Sequence, residues 1–190
     1  TPLYSSAASD VYKRQELRSS QLYYPSEPLS VVEFVLFQAN DRPHDVESLE
    51  DLKDLTVGTS AGYDYGAGFL QSTLFRREAA PTQEANFGKL LRGRIDLLIT
   101  DRRVGRYMLA QLGLQDRISE LPLVISRQKQ YLAVRRNAGM DLLAQRFAAE
   151  LRRFKQEPAY AQLQARYGHV ALPLTAVSYT HLTLPTNREV

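Results

Sequence analysis

The stretch Asn86 to Gly105, NFGKLLRGRIDLLITDRRVG, decides how the chain is read. Its centre, Ile95 to Thr100 (IDLLIT), is a short apolar run that reads as a buried strand. On the N-terminal side, Ala85, Phe87, Leu90 and Leu91 fall on one helical face over 83–92, and Gly93 stands at a C-terminal cap position. On the C-terminal side, Asp101 closes the strand, and 103–112 (RVGRYMLAQL) continues as an amphipathic helix that stops at Gly113. A helix, a buried strand and a second helix in direct succession mark an α/β unit, in which helices cover both faces of the sheet.

Working outward, Ser30 to Ala39 (SVVEFVLFQA) is rich in Val and Phe and reads as a largely buried strand. A polar turn over 40–45 leads to Ser48-Leu49-Glu50-Asp51, a capping-box-like start for a short helix ending near Asp54. Leu55 to Ser60 (LTVGTS) is the next strand, and Ala61 to Gly68 (AGYDYGAG) is a loop that opens a helix through about Arg77. Beyond Gly113, 121–126 and 130–135 read as two further strands and 140–156 and 158–167 as helices, with Pro158 at a first helical turn. The pattern predicts an open α/β sheet, mostly parallel, with helices on both faces.

In such sheets ligands sit at the carboxyl ends of strands, where loops feed helix N-termini. Two loops qualify: 60–68 after LTVGTS, and 101–103 after IDLLIT. Helix N-termini favour anionic groups, whereas the carboxylate of Asp101 suits a cation or a helix cap. Tyr63 and Tyr65 lie in the first loop, where a tyrosine offers both a flat apolar face and a hydroxyl.

Composition narrows the chemistry. The chain has 190 residues, 44% of them hydrophobic, with 24 Lys and Arg against 21 Asp and Glu, a formal charge of +3 that requires no nucleic-acid partner. There is no cysteine, so thiol nucleophiles, disulfides and zinc–thiolate sites are excluded. His44, His169 and His181 are too far apart for a helical metal pair, and no metal is expected. Gly62, Gly66 and Gly68 match neither the dinucleotide nor the P-loop spacing, so no nucleotide cofactor is expected. No nucleophile elbow or zinc-protease motif is present, and the protein is read as not an enzyme. Arg152, Arg153 and Lys155, like Arg102, Arg103 and Arg106, read as solvated helix faces. No apolar run is long enough to span a bilayer, and 1–15 lacks the form of a secretory signal.

Four stretches together resemble one family, the extracellular solute-binding proteins of the polar amino acid uptake type (bacterial family 3). They are Glu16–Leu29, Ser48–Gly66, Asn86–Gly105 and the closing helices Leu142–Tyr167, so the resemblance runs over roughly 16–172. It implies the type II periplasmic-binding-protein-like fold, two lobes joined by crossing strands with the ligand clamped between them. Residues 30–126 would then form a complete second lobe. Residues 16–29 and 127–172 would belong to a first lobe whose body is missing, and 1–15 and 173–190 are expected to be tails foreign to the natural protein. By the resemblance Arg18 grips a ligand α-carboxylate, Asp101 takes the α-ammonium, and the loop of Ser60, Gly62, Tyr63, Asp64 and Tyr65 lines the site. Tyr63 stands where the family has a small hydroxyl residue. The implied protein is a periplasmic monomer without cofactor, which captures a polar amino acid or similar zwitterion and delivers it to an ABC permease. The same module also occurs as the input domain of membrane-bound sensors and other regulators, and fused to lytic enzymes.

Overall fold

The computed structural model describes residues 21–136 and 139–167. Arg18 and both terminal segments singled out above lie outside the described residues.

The elements run β1 (Leu22–Tyr23), β2 (Ser30–Ala39), a 3-10 turn (Glu50–Leu52), β3 (Thr56–Ser60), α1 (Ala67–Gln71), β4 (Arg76–Ala80), α2 (Gln83–Leu91), β5 (Leu97–Asp101), α3 (Arg102–Leu112), β6 (Ile118–Gln130), β7 (Val134–Arg135), α4 (Asp141–Phe154) and α5 (Pro158–Tyr167). Five strands form one open sheet in the order β4-β3-β5-β2-β6, and β1 pairs with β7 in a separate two-stranded ladder. The open α/β architecture is therefore as read from the sequence. Its pairing is more mixed than expected: β4/β3 and β3/β5 are parallel, while β5/β2 and β2/β6 are antiparallel. The antiparallel half is made by the two long strands, of 10 and 13 residues, against five residues each in β3, β4 and β5.

Three local expectations are corrected. The helix predicted to run through Arg77 is only the short α1, and the chain instead enters β4, an edge strand parallel to β3. The strands predicted at 121–126 and 130–135 are one continuous β6 followed by the short β7. Pro122 does not break β6, because an edge strand has one row of N–H groups that need no sheet partner. The helix predicted at Ser48 contracts to the 3-10 turn, although its capping chemistry is present. Asp51 Oδ2 accepts from Ser48 Oγ at 2.9 Å and from the N–H groups of Ser48 and Glu47 at 2.9 and 3.1 Å. These bonds, Ser48 Oγ foremost, hold the Asp51 carboxyl below its ordinary value.

Side-chain alternation along β2 and β5 divides the core into two layers. On one face Phe34, Leu36, Leu97 and Ile99 pack with Leu52, Tyr65 and Phe69. On the other, Val35, Phe37 and Leu98 pack with Phe87 and Leu90 of α2 and Leu109 of α3. A Cβ on Gly105 would run into the Phe37 ring, so α3 lies tight against the sheet. α2 and α3 end as predicted, with Gly93 and Gly113 at φ of 66° and 62°.

α4 buries Ala144 and Ala148 but leaves Leu142, Leu143 and Phe147 exposed, and Leu163 of α5 is exposed as well. α4 is tied to the segment before β2 by charge. Glu27 accepts from Lys155 Nζ at 2.7 Å and from Arg152 Nε at 3.4 Å, and Lys155 Nζ also donates to the Pro28 carbonyl. Lys155, with help from Arg152, holds the Glu27 carboxyl below its ordinary value.

Candidate functional site

Strand order places the topological switch point. From β3 the chain passes through α1 to β4 on one side, then returns through α2 to β5 on the other side of β3. Connections that leave neighbouring strands in opposite directions part their loops and open a crevice at the carboxyl ends. Gly58 is registered with Leu98, so continuing that register brings Ser60 level with Thr100, one residue short of Asp101. The two loops selected from the sequence therefore meet at this switch point.

Asp101 is buried, with 7% of its surface exposed, and serves as the N-cap of α3. Its Oδ1 accepts from the N–H groups of Arg103 at 2.8 Å and Val104 at 3.0 Å, and Arg103 Nε lies 3.8 Å from the same oxygen. Its Oδ2 is buried and has no hydrogen-bond partner. A carboxylate has acceptor sites on both oxygens, and leaving one buried and unpaired is costly.

The loop after β3 is ordered around Tyr65. This ring is buried, and its hydroxyl oxygen accepts from the N–H of Ser60 at 2.8 Å. Burial pushes the phenol pKa above its ordinary value. Phe34 packs edge-on to Tyr65 with ring centres 4.9 Å apart, and Tyr63 stacks over it at 6.1 Å with 50% of its own surface exposed. Asp64 Oδ1 accepts from the Gly66 N–H at 2.8 Å, an Asx turn that shapes the loop. Gly62 has a φ of 81°, which a side chain rarely adopts. Ser60 Oγ is buried as well, on the residue whose N–H donates to the Tyr65 hydroxyl. The structure thus brings Ser60, Gly62, Tyr63, Asp64 and Tyr65 into one loop and sets Asp101 at the end of the adjoining strand.

Other polar groups at this end of the sheet were not singled out in the sequence. Ser126 is registered with Phe34, which is itself registered with Asp101, so the three side chains stand in a row on one face. Ser126 Oγ is buried without a partner, and the backbone of Gly66 passes so close that a Cβ there would lie 3.1 Å from Ser126 Cβ. Gln83 Oε1, at the first residue of α2, is likewise buried and unpartnered, as are Asn86 Oδ1 and Thr100 Oγ1. Asn86 Nδ2 donates to the Thr59 carbonyl at 3.0 Å, tying α2 to β3. In sequence each reads as an ordinary strand or helix residue, because the signal is burial without a partner.

Among the described residues no group of three His, Asp or Glu side chains is placed to hold a metal ion, and no helix is long and apolar enough to cross a membrane.

Neither a family model nor a curated protein matches the chain. Solved structures do. The GluR0 ligand-binding core from Nostoc punctiforme in complex with L-glutamate is 16% identical with a TM-score of 0.61, over 80% of this chain and 68% of its own. Holo ArgBP from T. maritima is 23% identical with a TM-score of 0.59, over 80% of this chain and 65% of its own. AbpA from Streptococcus pneumoniae, an amino acid ABC transporter substrate-binding protein bound to L-arginine, is 13% identical with a TM-score of 0.59, over 73% of this chain and 59% of its own. At identities this low the likeness shows the fold alone: the chain has the type II periplasmic-binding-protein-like architecture and spans about two thirds of the length of the first of these structures.

Proposed function

We propose that this chain carries the ligand-binding lobe of an extracytoplasmic solute-binding protein that captures a polar amino acid or similar small zwitterion. The observation that carries the reading is Asp101, a buried carboxylate at the switch point with one oxygen capping α3 and the other lacking a hydrogen-bond partner. A ligand ammonium would supply charge-assisted donors to that oxygen. Tyr63, stacked on the buried Tyr65, leaves an exposed aromatic face on the loop after β3, and Ser60 ends that strand with a hydroxyl. Arg18, outside the described residues, is the expected partner of the ligand carboxylate, its guanidinium suited to bidentate pairing. The likeness to structures holding glutamate and arginine supports this reading.

We further assign 30–126 to one lobe, and 16–29 with 127–172 to its companion. In support, α4 carries Leu142, Leu143 and Phe147 uncovered, a contiguous apolar face of the kind that packs against another surface. Ligand contacts to both lobes would favour closure by shifting a population of open and closed states. The closed monomer would then engage an ABC permease.

The test is calorimetry and thermal shift on the longest natural chain carrying this segment, against a panel of amino acids. One or more amino acids should raise the melting temperature, and Asp101→Asn should weaken binding of the best by about 2–5 kcal/mol, the cost of breaking a desolvated charge pair. Unchanged affinity in Asp101→Asn would remove Asp101 from the site. A panel in which nothing binds would overturn the amino acid reading.

A further inference from the structure

We propose that Arg102 is a positioning residue: gripped by Glu33 and Glu120, it fixes the first turn of α3 and thereby the direction of the unpartnered oxygen of Asp101. The inference rests on the reading of Asp101 given above.

Arg102 follows Asp101 directly and is three-quarters buried, with 25% of its side chain exposed. Its Nη1 donates to Glu33 Oε2 on β2, and its Nε donates to Glu120 Oε1 on β6 at 2.8 Å. Each carboxylate is held from its other side. Glu33 Oε1 accepts from Arg127 Nε at 2.8 Å, and Glu120 Oε2 accepts from Arg106 Nε at 2.6 Å. The result is an alternating chain, Arg127–Glu33–Arg102–Glu120–Arg106, which runs across the two long strands and onto α3. Arg103 adds a second tie to the same strand, its Nη2 donating to the Val31 carbonyl at 3.3 Å.

An isolated surface ion pair contributes little, but a planar guanidinium held by two carboxylates that are themselves paired has few alternative rotamers. What it holds is the backbone that aims Asp101. Oδ1 is fixed by the N–H groups of residues 103 and 104, so the position of that first turn sets where Oδ2 points. Glu33 and Arg127 are also cross-strand partners near the end of the β2/β6 ladder. The clamp therefore links the site to the strands that lead out of the lobe. A pre-aimed acceptor loses less on binding than one that must be ordered by the ligand.

The experiment compares Arg102→Gln and Arg102→Lys with Lys89→Gln, which breaks a distant ion pair to Glu78, in the longest natural chain. Without ligand, amide exchange at Arg103 and Val104 should be about tenfold faster in Arg102→Gln, intermediate in Arg102→Lys, and unchanged in Lys89→Gln. With L-arginine or L-glutamate as probe, Arg102→Gln should raise Kd about tenfold in the wild-type background and not at all in Asp101→Asn, because the two act as one unit. Equal loss of affinity in both backgrounds, or unaltered exchange at the two amides, would overturn the proposal. If neither probe binds the wild type, the functional reading fails, and the exchange comparison still decides the clamp. Should Arg102→Gln not fold, Arg102→Lys and Glu33→Gln carry the same comparison.

Discussion

In the sheet lobe, Leu36, Phe37, Leu97 and Leu98 are wholly covered by helices and loops on both faces, whereas in α4 only alanines, Ala144 and Ala148, are buried and Leu143 and Phe147 stand in solvent. Both regions carry apolar side chains at helical or strand spacing, yet one has closed on itself and the other has not. Amphipathic pattern records which face is meant to be covered, and only the neighbouring elements decide whether it is. The sheet lobe supplies those neighbours from its own sequence. The α4–α5 pair, with α4 held by Glu27 and its two cations, leaves Leu142, Leu143, Phe147 and Leu163 exposed.

The contrast is open to attack at its strongest point first. Phe37→Ala should destabilise the chain by about 3–5 kcal/mol in urea unfolding, because a buried ring between β2, α2 and α3 leaves a cavity. Phe147→Ala, of identical chemistry, should cost well under about 1 kcal/mol, and equal effects would erase the distinction.

Tyr65→Phe comes next, at about 1–3 kcal/mol, since it leaves the Ser60 N–H unpaired. Tyr65 also adds a pH dependence of defined sign. Its folded pKa lies above the ordinary value of 10.0, so the folded state holds this proton longer than the unfolded chain does. Stability should be unaffected by Tyr65 below about pH 10 and should fall as pH rises through the elevated folded value. Thermal melts from neutral to strongly alkaline pH should show a steeper decline in wild type than in Tyr65→Phe. The smallest effect is expected for Leu143→Ser, within about 0.5 kcal/mol in this chain. A markedly larger loss in a longer natural chain would show that the α4 face is covered there.

The same division runs through what the residues disclose before folding. Strand β2 and helices α2 and α3 are legible because Val and Phe crowd SVVEFVLFQA and because Gly93 and Gly113 stop two amphipathic runs. The strand-end positions of Ser60 and Asp101 are legible as well, because LTVGTS and IDLLIT each read as a strand closed by a polar residue. β4 is not legible, because RREAA has four exposed residues and lacks the alternation of a half-buried strand. The continuity of β6 is hidden by Pro122, which only an edge position excuses. Ser126 and Gln83 could not be picked out, since a hydroxyl or amide becomes notable only when folding buries it away from every partner.

β4 has one further consequence. An open sheet ends in two rows of unpaired backbone groups, and such rows can recruit strands from other molecules into aggregates. Here one border is the charged run Arg76-Arg77-Glu78, and the other is β6, with an exposed proline and two register shifts against β2. Charge, proline and irregular register each oppose the flat, continuous edge that strand addition needs. The features that concealed these strands from pattern reading thus guard the protein against polymerising through its own sheet.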